Sequence, residues 1–446
     1  MSHTIDAVRA IAQRAARVTP ADAAEAIVVA SRSALTRFAG NRIHQNVAEN
    51  DMELSVRAVL GTRTGVASTN RFDDDSLTRC AAAAVDAARH APQDPVFPGL
   101  PEPHPLSLPS GGSTLLGTYS EQTRAEAAHA IIGQSEARGL VAAGGIAVND
   151  QIVAVANSSG VLVAMQTDSL RATVLSTGEA QASGWASYYG RDTGGFLPSQ
   201  LGSQAAMLAE RSAGAGALDP GTYTVVLAPE AVADILDFLG YLGFGAKAFS
   251  EGSSFLVGKV GTRALDSRVT IYDDALSPGT IGIRFDYEGQ PRRRTPLVEG
   301  GVFAGPVTDS YFATKLELDN TGHALPAPNP YGPLPLNLEM NAGDTTVEDM
   351  IASVDRGVYV TRFHYVNVED PMKVVLTGMT RDGTFLIENG KLARPVRNLR
   401  FTQSALVALS HVGAIGAKRQ LCGGEGSAML APALLLERWD FTGQTG

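Results

Sequence analysis

Residues 229–261 decide the fold, and they read PEAVADILDFLGYLGFGAKAFSEGSSFLVGKVG. Apolar residues recur at steps of three and four through the first half, which predicts an amphipathic helix with one broad apolar face. Pro229 stands where a first-turn proline belongs. Glycines then end the helix, and SFLVGKV at 254–260 predicts a strand after the loop. The apolar positions of the helix are Val232, Ile235, Leu236, Leu239 and Leu242.

This helix follows a predicted strand, TYTVVLA at 222–228, and a helix so placed could carry metal ligands. It holds no histidine, because none occurs between His129 and His323. Zinc sites in proteins are built mainly from imidazole and thiolate donors. The sequence therefore predicts a helix in the position of a metal site without the ligands for one.

Length and composition predict a soluble protein of more than one domain. The chain has 446 residues, of which 44% are hydrophobic, and no segment approaches the length of an apolar membrane span. The first residues are amphipathic and lack the apolar core of a secretory signal. Two cysteines far apart, Cys80 and Cys422, cannot form a disulfide framework and agree with a reducing compartment. We therefore expect a cytoplasmic protein with no membrane contact.

The charge balance argues against direct nucleic-acid binding. The formal net charge is −10, which repels a phosphate backbone. One basic cluster occurs, at Arg292, Arg293 and Arg294, and acidic turns flank it.

The first half of the chain alternates helices with antiparallel strands. Residues 25–70 predict a meander of roughly four strands with turns at 39–41, 49–51 and 61–63. The cluster Asp73 to Asp75 predicts the N-cap of an alanine-rich helix that buries Cys80. The proline-rich segment 92–112 predicts a surface crossover. The other predicted elements are helices at 5–18, 120–138 and 198–213 and strands within 139–187, with a hairpin turn at 157–160.

The second half is predicted to be rich in strands. Short runs between Gly, Pro, Asp and Asn turns predict hairpins at 269–314 and 382–401, an apolar helix at 404–415 and a final strand at 433–441. We place the domain boundary near Asp219. The prediction is an α+β fold of two domains, an N-terminal α/β domain with an antiparallel meander at 1–218 and a strand-rich C-terminal domain at 219–446.

Several of these segments, in this order, resemble the TldD/PmbA family. The family's best-known members are cytoplasmic metallopeptidase assemblies of two related subunits, so the resemblance implies that fold and a link to proteolysis. The segments that carry it are LTRFA at 35–39 with Asn41 and 43–46, GVASTN at 65–70, NSSG at 157–160, Ser254-Phe255 with GKVG at 258–261, Asp273-Asp274, Pro278-Gly279, Phe285-Asp286 with Glu288-Gly289, IENG at 387–390 and Pro395-Val396.

In the metal-binding subunits of this family, that helix carries His-Glu-x-x-x-His, and a downstream cysteine completes a zinc site. Counting back from Ser254 places these positions on Leu236, Asp237 and Tyr241, and Cys422 resembles the third ligand. Leucine offers no donor and tyrosine is a poor ligand at neutral pH. The resemblance thus implies the TldE or PmbA type of subunit, without metal. Asp237 is expected to be solvated or to cap the helix, and Cys422 to be packed and inert.

The other motifs in the sequence give little evidence for a functional site. Residues 243–248 imitate a dinucleotide fingerprint but follow a helix rather than a strand. The histidines His323, His364 and His411 have no second ligand at helical spacing and are expected to be packed or on the surface. The acidic pairs at 273–274 and 286/288 could form a cation site, but hairpin turns explain them better.

Three functions compete. The first is a companion subunit without catalytic groups of its own, which pairs with a zinc-binding TldD-type relative and encloses unfolded peptides; homodimers could form in the partner's absence. The second is a stand-alone peptidase or amide hydrolase that uses Asp237 or Cys422. The third is an interaction protein, since family members are described as modulators of DNA gyrase.

Overall fold

The computed structural model describes residues 4–108, 115–191, 193–423 and 427–444, which form an α+β fold around two sheets. The first sheet is antiparallel throughout, with the strand order β3-β2-β1-β4-β5-β6. Ala30 on its central strand pairs with Met52 on one side and Ile152 on the other. The strands are β1 (Ala23–Ala39), β2 (Arg42–Leu60), β3 (Arg63–Thr69), β4 (Val141–Asn157), β5 (Leu162–Thr177) and β6 (Ser183–Gly190).

The predicted meander is confirmed with one correction to its strand count. Three strands cover residues 23–69, because the expected turn at 49–51 lies inside β2. Glu49 and Asp51 pair with Ser33 and Ser31 of β1 and are exposed to solvent. A strand with one face in solvent can contain several polar residues in a row. The polar composition of residues 49–51 therefore predicted a turn where the strand continues.

Helices cover one face of the first sheet and bury its apolar side chains. The Asp73 carboxylate accepts a hydrogen bond from the Ser76 backbone N–H at 2.9 Å, which confirms the predicted N-cap. The turn at Asn157 is also confirmed, since its side-chain oxygen accepts from the Val161 N–H at 2.9 Å. The helices are α1 (Ile5–Val18), α2 (Asp74–His90), α3 (Leu115–Thr118), α4 (Glu121–Glu136) and α5 (Pro198–Ser212).

The second sheet is mixed and partly closed. Its strands are β7 (Gly221–Leu227), β8 (Ile271–Asp273), β9 (Thr295–Glu299), β10 (Val302–Phe303), β11 (Asn337–Met340), β12 (Arg356–Asp370), β13 (Val375–Glu388), β14 (Lys391–Pro395), β15 (Leu399–Ser404), β16 (Val412–Gly423) and β17 (Ala428–Gln444). Because β7 pairs with both β12 and β17, the ring β17-β15-β13-β12-β7 closes on itself. Its helices are α6 (Pro229–Gly243), α7 (Ala246–Ser250), α8 (Ser310–Leu316), α9 (Val347–Ala352) and α10 (Ala405–Leu409).

Two predictions for this half are wrong. Residues 254–260 form consecutive turns instead of a strand, because Phe255 packs between Phe244 and Phe303 with ring centroids 5.2 and 5.6 Å away. The predicted helix at 404–415 ends at Leu409, and β16 begins at Val412, which pairs with Leu436 of β17. In both cases contacts distant in sequence override the local pattern.

The second face of the first sheet packs against the C-terminal half. Phe285 is buried among Ile27, Val153 and Val155 of the first sheet. The proline-rich crossover is irregular over 92–108, and its residues 109–112 lie outside the described ones. The boundary near Asp219 stays a prediction. No helix in the described ranges has both the length and the apolar character needed to cross a membrane.

Candidate functional site

Helix α6 has two faces with different roles. Val232, Leu236 and Leu239 are fully buried in the core of the C-terminal half. Glu230, Asp234 and Asp237 follow one another at steps of four and three, and so lie together on another face. That face forms one wall of a cavity.

The cavity has a volume of about 350 Å³ and lies between the two halves of the chain. Strands β5 and β6 supply the wall opposite α6, and the second sheet supplies the remainder. A cleft at such a junction, with several convergent polar groups, is the usual form of a binding or active site. Its lining residues are Arg171, Trp185, Ser187, Tyr188, Tyr189, Glu230, Ala233, Asp234, Asp237, Arg362, Phe363, Cys422, Gly423, Ser427 and Met429.

Glu230 joins three elements at the floor of the cavity. Its Oε1 accepts a hydrogen bond from the Gln420 side-chain amide at 3.0 Å and another from the hydroxyl of Ser187. Burial raises the pKa of Glu230, while the Ser187 hydroxyl and the Cys422 thiol oppose the rise. The carboxyl therefore ties α6 to β16 and to the first sheet.

The carboxyls of Asp234 and Asp237 are perturbed as well. Burial raises its pKa to about 8, the neighbouring carboxyls of Glu230 and Asp237 add to the rise, and Arg362 opposes it. Asp237 is exposed at the rim, where partial burial raises its pKa and the Ser427 hydroxyl opposes the rise. Each carboxyl therefore disfavours ionisation of its neighbours on this face of α6.

Cys422 lies in the same cavity but is not activated. It is 1% exposed, and its Sγ lies 3.6 Å from the Gln420 backbone oxygen. Burial raises the pKa of the thiol well above its usual value, and Glu230 and Asp234 raise it further. Since the thiolate is the nucleophilic form, a thiol whose pKa is raised in this way is a poor nucleophile at neutral pH.

The structure brings together only two of the four residues predicted for the site. Asp237 and Cys422 line the cavity. Leu236 points into the core, and Tyr241 is 54% exposed, with its ring 6.1 Å from that of Tyr331. Counting back from Ser254 crosses a glycine-rich loop, and the placement of the motif on Leu236, Asp237 and Tyr241 stays a prediction.

Sequence reasoning missed Glu230 and Asp234. The spacing of His-Glu-x-x-x-His fits Pro229, Glu230 and Asp234 as well, and it keeps the glutamate. Glu230 and Asp234 lie one and five positions after Pro229, the first residue of α6. This spacing is the signal in the sequence that could have found them. Arg171 and Ser187 come from the first half of the chain, and only the tertiary structure places them here.

The donors in this cavity do not fit a zinc site. Its lining residues include no histidine, so the donors are carboxyls and one thiol, whereas zinc sites usually contain imidazole or several thiolates. Over the described ranges, no three or more His, Cys, Asp or Glu side chains group in a way that could hold a metal. The absence of zinc from this chain stays a prediction.

His323, Asp273 and Asp286, which the sequence analysis considered as possible ligands, have structural roles in the fold. His323 is fully buried, its Nε2 lies 3.1 Å from Asp273 Oδ1, and its Nδ1 lies 2.9 Å from the Thr321 hydroxyl. Asp286 accepts backbone hydrogen bonds from Glu288 and Gln290, as the predicted turn requires. Asp273 instead ends strand β8, so a hairpin turn does not explain it.

Comparisons with known proteins agree with this architecture. A family model described as the PmbA/TldA metallopeptidase C-terminal domain matches residues 220–443, and one for domain 1 matches residues 24–88. A "Metalloprotease" of Methanothermobacter thermautotrophicus is 28% identical over 52% of this chain and 51% of its own length. A "Metalloprotease TldD homolog" of Haemophilus influenzae is 27% identical over 40% of this chain and 38% of its own. The chain thus spans about half or less of these relatives.

Two solved structures share the fold over nearly the whole chain. TldE from Thermococcus kodakarensis has a TM-score of 0.87 at 19% identity, covering 95% of this chain and 97% of its own. A candidate modulator of DNA gyrase from Bacteroides thetaiotaomicron has a TM-score of 0.84 at 22% identity, covering 99% of each chain. With one family model matching half of its residues and a second matching the segment that holds β1 to β3, the chain belongs to the PmbA/TldD metallopeptidase family.

Proposed function

We propose that this chain is a companion subunit, without a zinc site of its own, of a cytoplasmic heteromeric peptidase that processes unfolded peptides. The observation that carries the proposal is the cavity beside α6. It holds Glu230, Asp234 and Cys422, and no histidine, where a metal-binding subunit would need two histidines and a thiolate. A shape shared with a TldE structure, and sequence similarity to TldD homologues, support a partner of the TldD type.

The degenerate motif belongs, in this proposal, on Pro229, Glu230 and Asp234. Two of these positions line the cavity together with Cys422, whereas Leu236 points into the core. The glutamate of the motif is retained as Glu230, but it is bonded to Ser187 and Gln420. Without a metal to lower the pKa of a water molecule, that carboxylate gives little hydrolytic power.

The test is to purify the chain alone and together with a relative from the same genome that carries His-Glu-x-x-x-His. The chain alone is expected to hold no stoichiometric zinc by elemental analysis and to leave unfolded peptides uncut. The mixture is expected to form a complex of one copy each on size exclusion, with cleavage of unfolded but not compact substrates. One tightly bound zinc in the isolated chain, or no association with any such relative, contradicts the proposal.

The position of the motif has its own test. The double substitution Pro229→His and Asp234→His, with Glu230 kept, should create zinc binding that Cys422→Ser then weakens. The matched control is Leu236→His with Tyr241→His, which has the same spacing but points one histidine into the core. Zinc uptake by the control and not by the first variant would show that the motif lies on Leu236 and Tyr241.

One observation favours a second candidate, a stand-alone hydrolase. Carboxyls with pKa values raised toward neutrality, such as that of Asp234, are the groups that general acid-base catalysis uses. In that case the isolated chain would cut peptides or amides, and Asp234→Asn would abolish the activity without unfolding the protein. Inactivity of the folded chain against an unfolded peptide library would dismiss this candidate.

A further inference from the structure

The acidic face of α6, which carries Glu230, Asp234 and Asp237, extends beyond the cavity that it lines. Asp237 lies at the rim, and Tyr241 follows it by four residues, which places Tyr241 further along the same face. The Tyr241 ring is 54% exposed and lies 6.1 Å from the ring of Tyr331, which is 55% exposed. The face that lines the cavity therefore ends, on its outer side, in a pair of exposed aromatic rings.

Asp234 has no hydrogen-bond partner in this cavity. Within the described ranges its half-buried carboxyl accepts no hydrogen bond and forms no ion pair. Glu230, one turn earlier, is instead held by the Ser187 hydroxyl and the Gln420 amide. A carboxyl withdrawn from water without a partner is unfavourable, and polar groups in such places usually have one. Asp234 thus keeps acceptor atoms that a ligand can use.

The cavity has more carboxyls than cations free to pair with them. Three carboxyls and two guanidiniums line it, those of Glu230, Asp234, Asp237, Arg171 and Arg362. Arg362 acts on Asp234, but its Nε donates to Asp382 Oδ2 at 2.9 Å, outside the lining, and its guanidinium lies 4.7 Å from the centroid of the Trp185 ring. Arg171 remains, and its charge acts on Glu230. Among the described residues, one free guanidinium therefore faces three carboxyls.

The rest of the wall decides which cation fits. Trp185, Tyr188, Phe363 and Met429 line it, so a cation with an apolar body gains from burial there. A metal ion is disfavoured, because no histidine lines the cavity and no metal-binding group of side chains occurs in the described ranges. An ammonium is a compact charge with three donors, which carboxyls on successive helical turns can accept. An organic ammonium meets these conditions.

We infer that the cavity beside α6 receives an ammonium group carried by a peptide, with Asp234 as its counter-ion. The choice of a peptide rests on the proposed function, whereas the ammonium site rests on Asp234 and the charges around it. The ammonium belongs to the amino terminus or to a lysine side chain, and the adjoining part of the peptide lies toward Tyr241 and Tyr331. The subunit would then hold a substrate that it does not cut.

The experiment uses the isolated full chain at pH 7, so that its outcome is independent of any partner. Two sets of probes carry an ammonium: tripeptide amides with a free amino terminus, and N-acetylated tripeptide amides with one lysine. The neutral set is N-acetylated tripeptide amides without lysine or arginine. Ultrafiltration and mass spectrometry measure retention. One or both ammonium sets should be retained at least about tenfold more strongly than the neutral set, as expected for a hydrogen bond between charged groups. The set that is retained identifies the source of the ammonium.

Asp234→Asn keeps the shape of the side chain and removes its charge. This variant should weaken retention of the ammonium probes about tenfold and leave the neutral set unchanged. The matched control is Glu251→Gln, since the Glu251 side chain is 52% exposed and pairs with Lys247 at 3.2 Å. The control should retain all sets as the wild type does. Circular dichroism confirms that each variant is folded.

A measurement on the wild-type chain makes the test independent of that variant. The groups that face Asp234 are Glu230 and Asp237 on α6, Arg171 on β5, Tyr189 on β6, Arg362 on β12 and Cys422 on β16. Because burial and the neighbouring carboxyls raise the pKa of Asp234 to about 8, pairing with an ammonium should release a proton at pH 7. Calorimetry in two buffers of different ionisation enthalpy measures this release.

Four results would overturn the inference. They are equal retention of the ammonium and neutral sets, no retention of any set by folded protein, unchanged retention in Asp234→Asn, and binding without proton release. If the ammonium probes bind but no partner subunit associates, the proposed function fails while the ammonium site stands.

Discussion

The guanidinium of Arg57, which is half-buried, lies 2.9 Å from the carboxylate of Glu25, which is buried in the first sheet. The same guanidinium lies 3.5 Å from Glu288 of the C-terminal half. One cation thus serves two carboxylates across the contact between the halves. Burial raises the pKa of Glu25 to about 7, Arg57 opposes the rise, and Glu288 adds to it.

Stability should therefore depend on pH through Glu25. Between its ordinary pKa of 4.5 and the folded value of about 7, the folded protein keeps a proton that the unfolded chain releases. The free energy of unfolding should fall as pH rises through this window and level off above it, with a contribution from Glu25 on the order of 3 kcal/mol. Urea denaturation at pH 5 and pH 8 measures the difference.

Glu25→Gln isolates this contribution, because the amide keeps the shape and cannot titrate. The fall in stability between the two pH values should shrink in this variant. The control is Glu53→Gln on the exposed part of β2, which should keep the wild-type dependence. An identical pH dependence in Glu25→Gln and wild type would show that Glu25 is ionised in the folded protein.

The two faces of α6 should respond differently to truncation. Leu236→Ala removes a fully buried side chain and should cost about 2–5 kcal/mol of unfolding free energy. Tyr241→Ala, at a side chain that is 54% exposed, should cost less than about 1 kcal/mol. Equilibrium denaturation measures both, and equal losses would contradict the orientation of the helix.

Neither thiol should react in the folded protein. Cys80 is 5% exposed and Cys422 is 1% exposed, and burial raises the pKa of both. Iodoacetamide at pH 8 should leave the native protein unmodified by mass spectrometry and add two groups in urea. Rapid labelling of native Cys422 would indicate a reactive thiol and support the hydrolase candidate.

The hairpin turn at Asn157 should matter for stability. Its side-chain amide donates to the Pro101 oxygen at 2.8 Å, and its oxygen accepts from the Val161 N–H at 2.9 Å. Asn157→Ala should therefore cost about 2 kcal/mol, because the buried Val161 N–H and the half-buried Pro101 oxygen both lose their partner. Asn149→Ala, at an exposed position on the same strand, is the control and should cost less than about 0.5 kcal/mol. A similar loss in both variants would show that the side-chain contacts of Asn157 contribute little.

The sequence by itself determined the elements whose signals are local. The apolar spacing of α6, the cap at Asp73 and the turn at Asn157 all follow from residues within a few positions of one another. The family resemblance and the lack of histidines near α6 could also be recognised from the order of residues alone. The turn predicted at 49–51 and the strand predicted at 254–260 both failed, because pairing and packing with distant segments decide these two stretches.

Only the tertiary structure decided which residues share the cleft. Helical periodicity shows that Leu236 and Asp237 face different ways, but it does not show which face meets the first sheet. Contacts from Ser187 and Gln420 to Glu230 bring together residues far apart in the chain and turn Glu230 and Asp234 into the cavity. The raised pKa values follow from that burial, since desolvation depends on what surrounds a carboxyl in space and not on its neighbours in sequence.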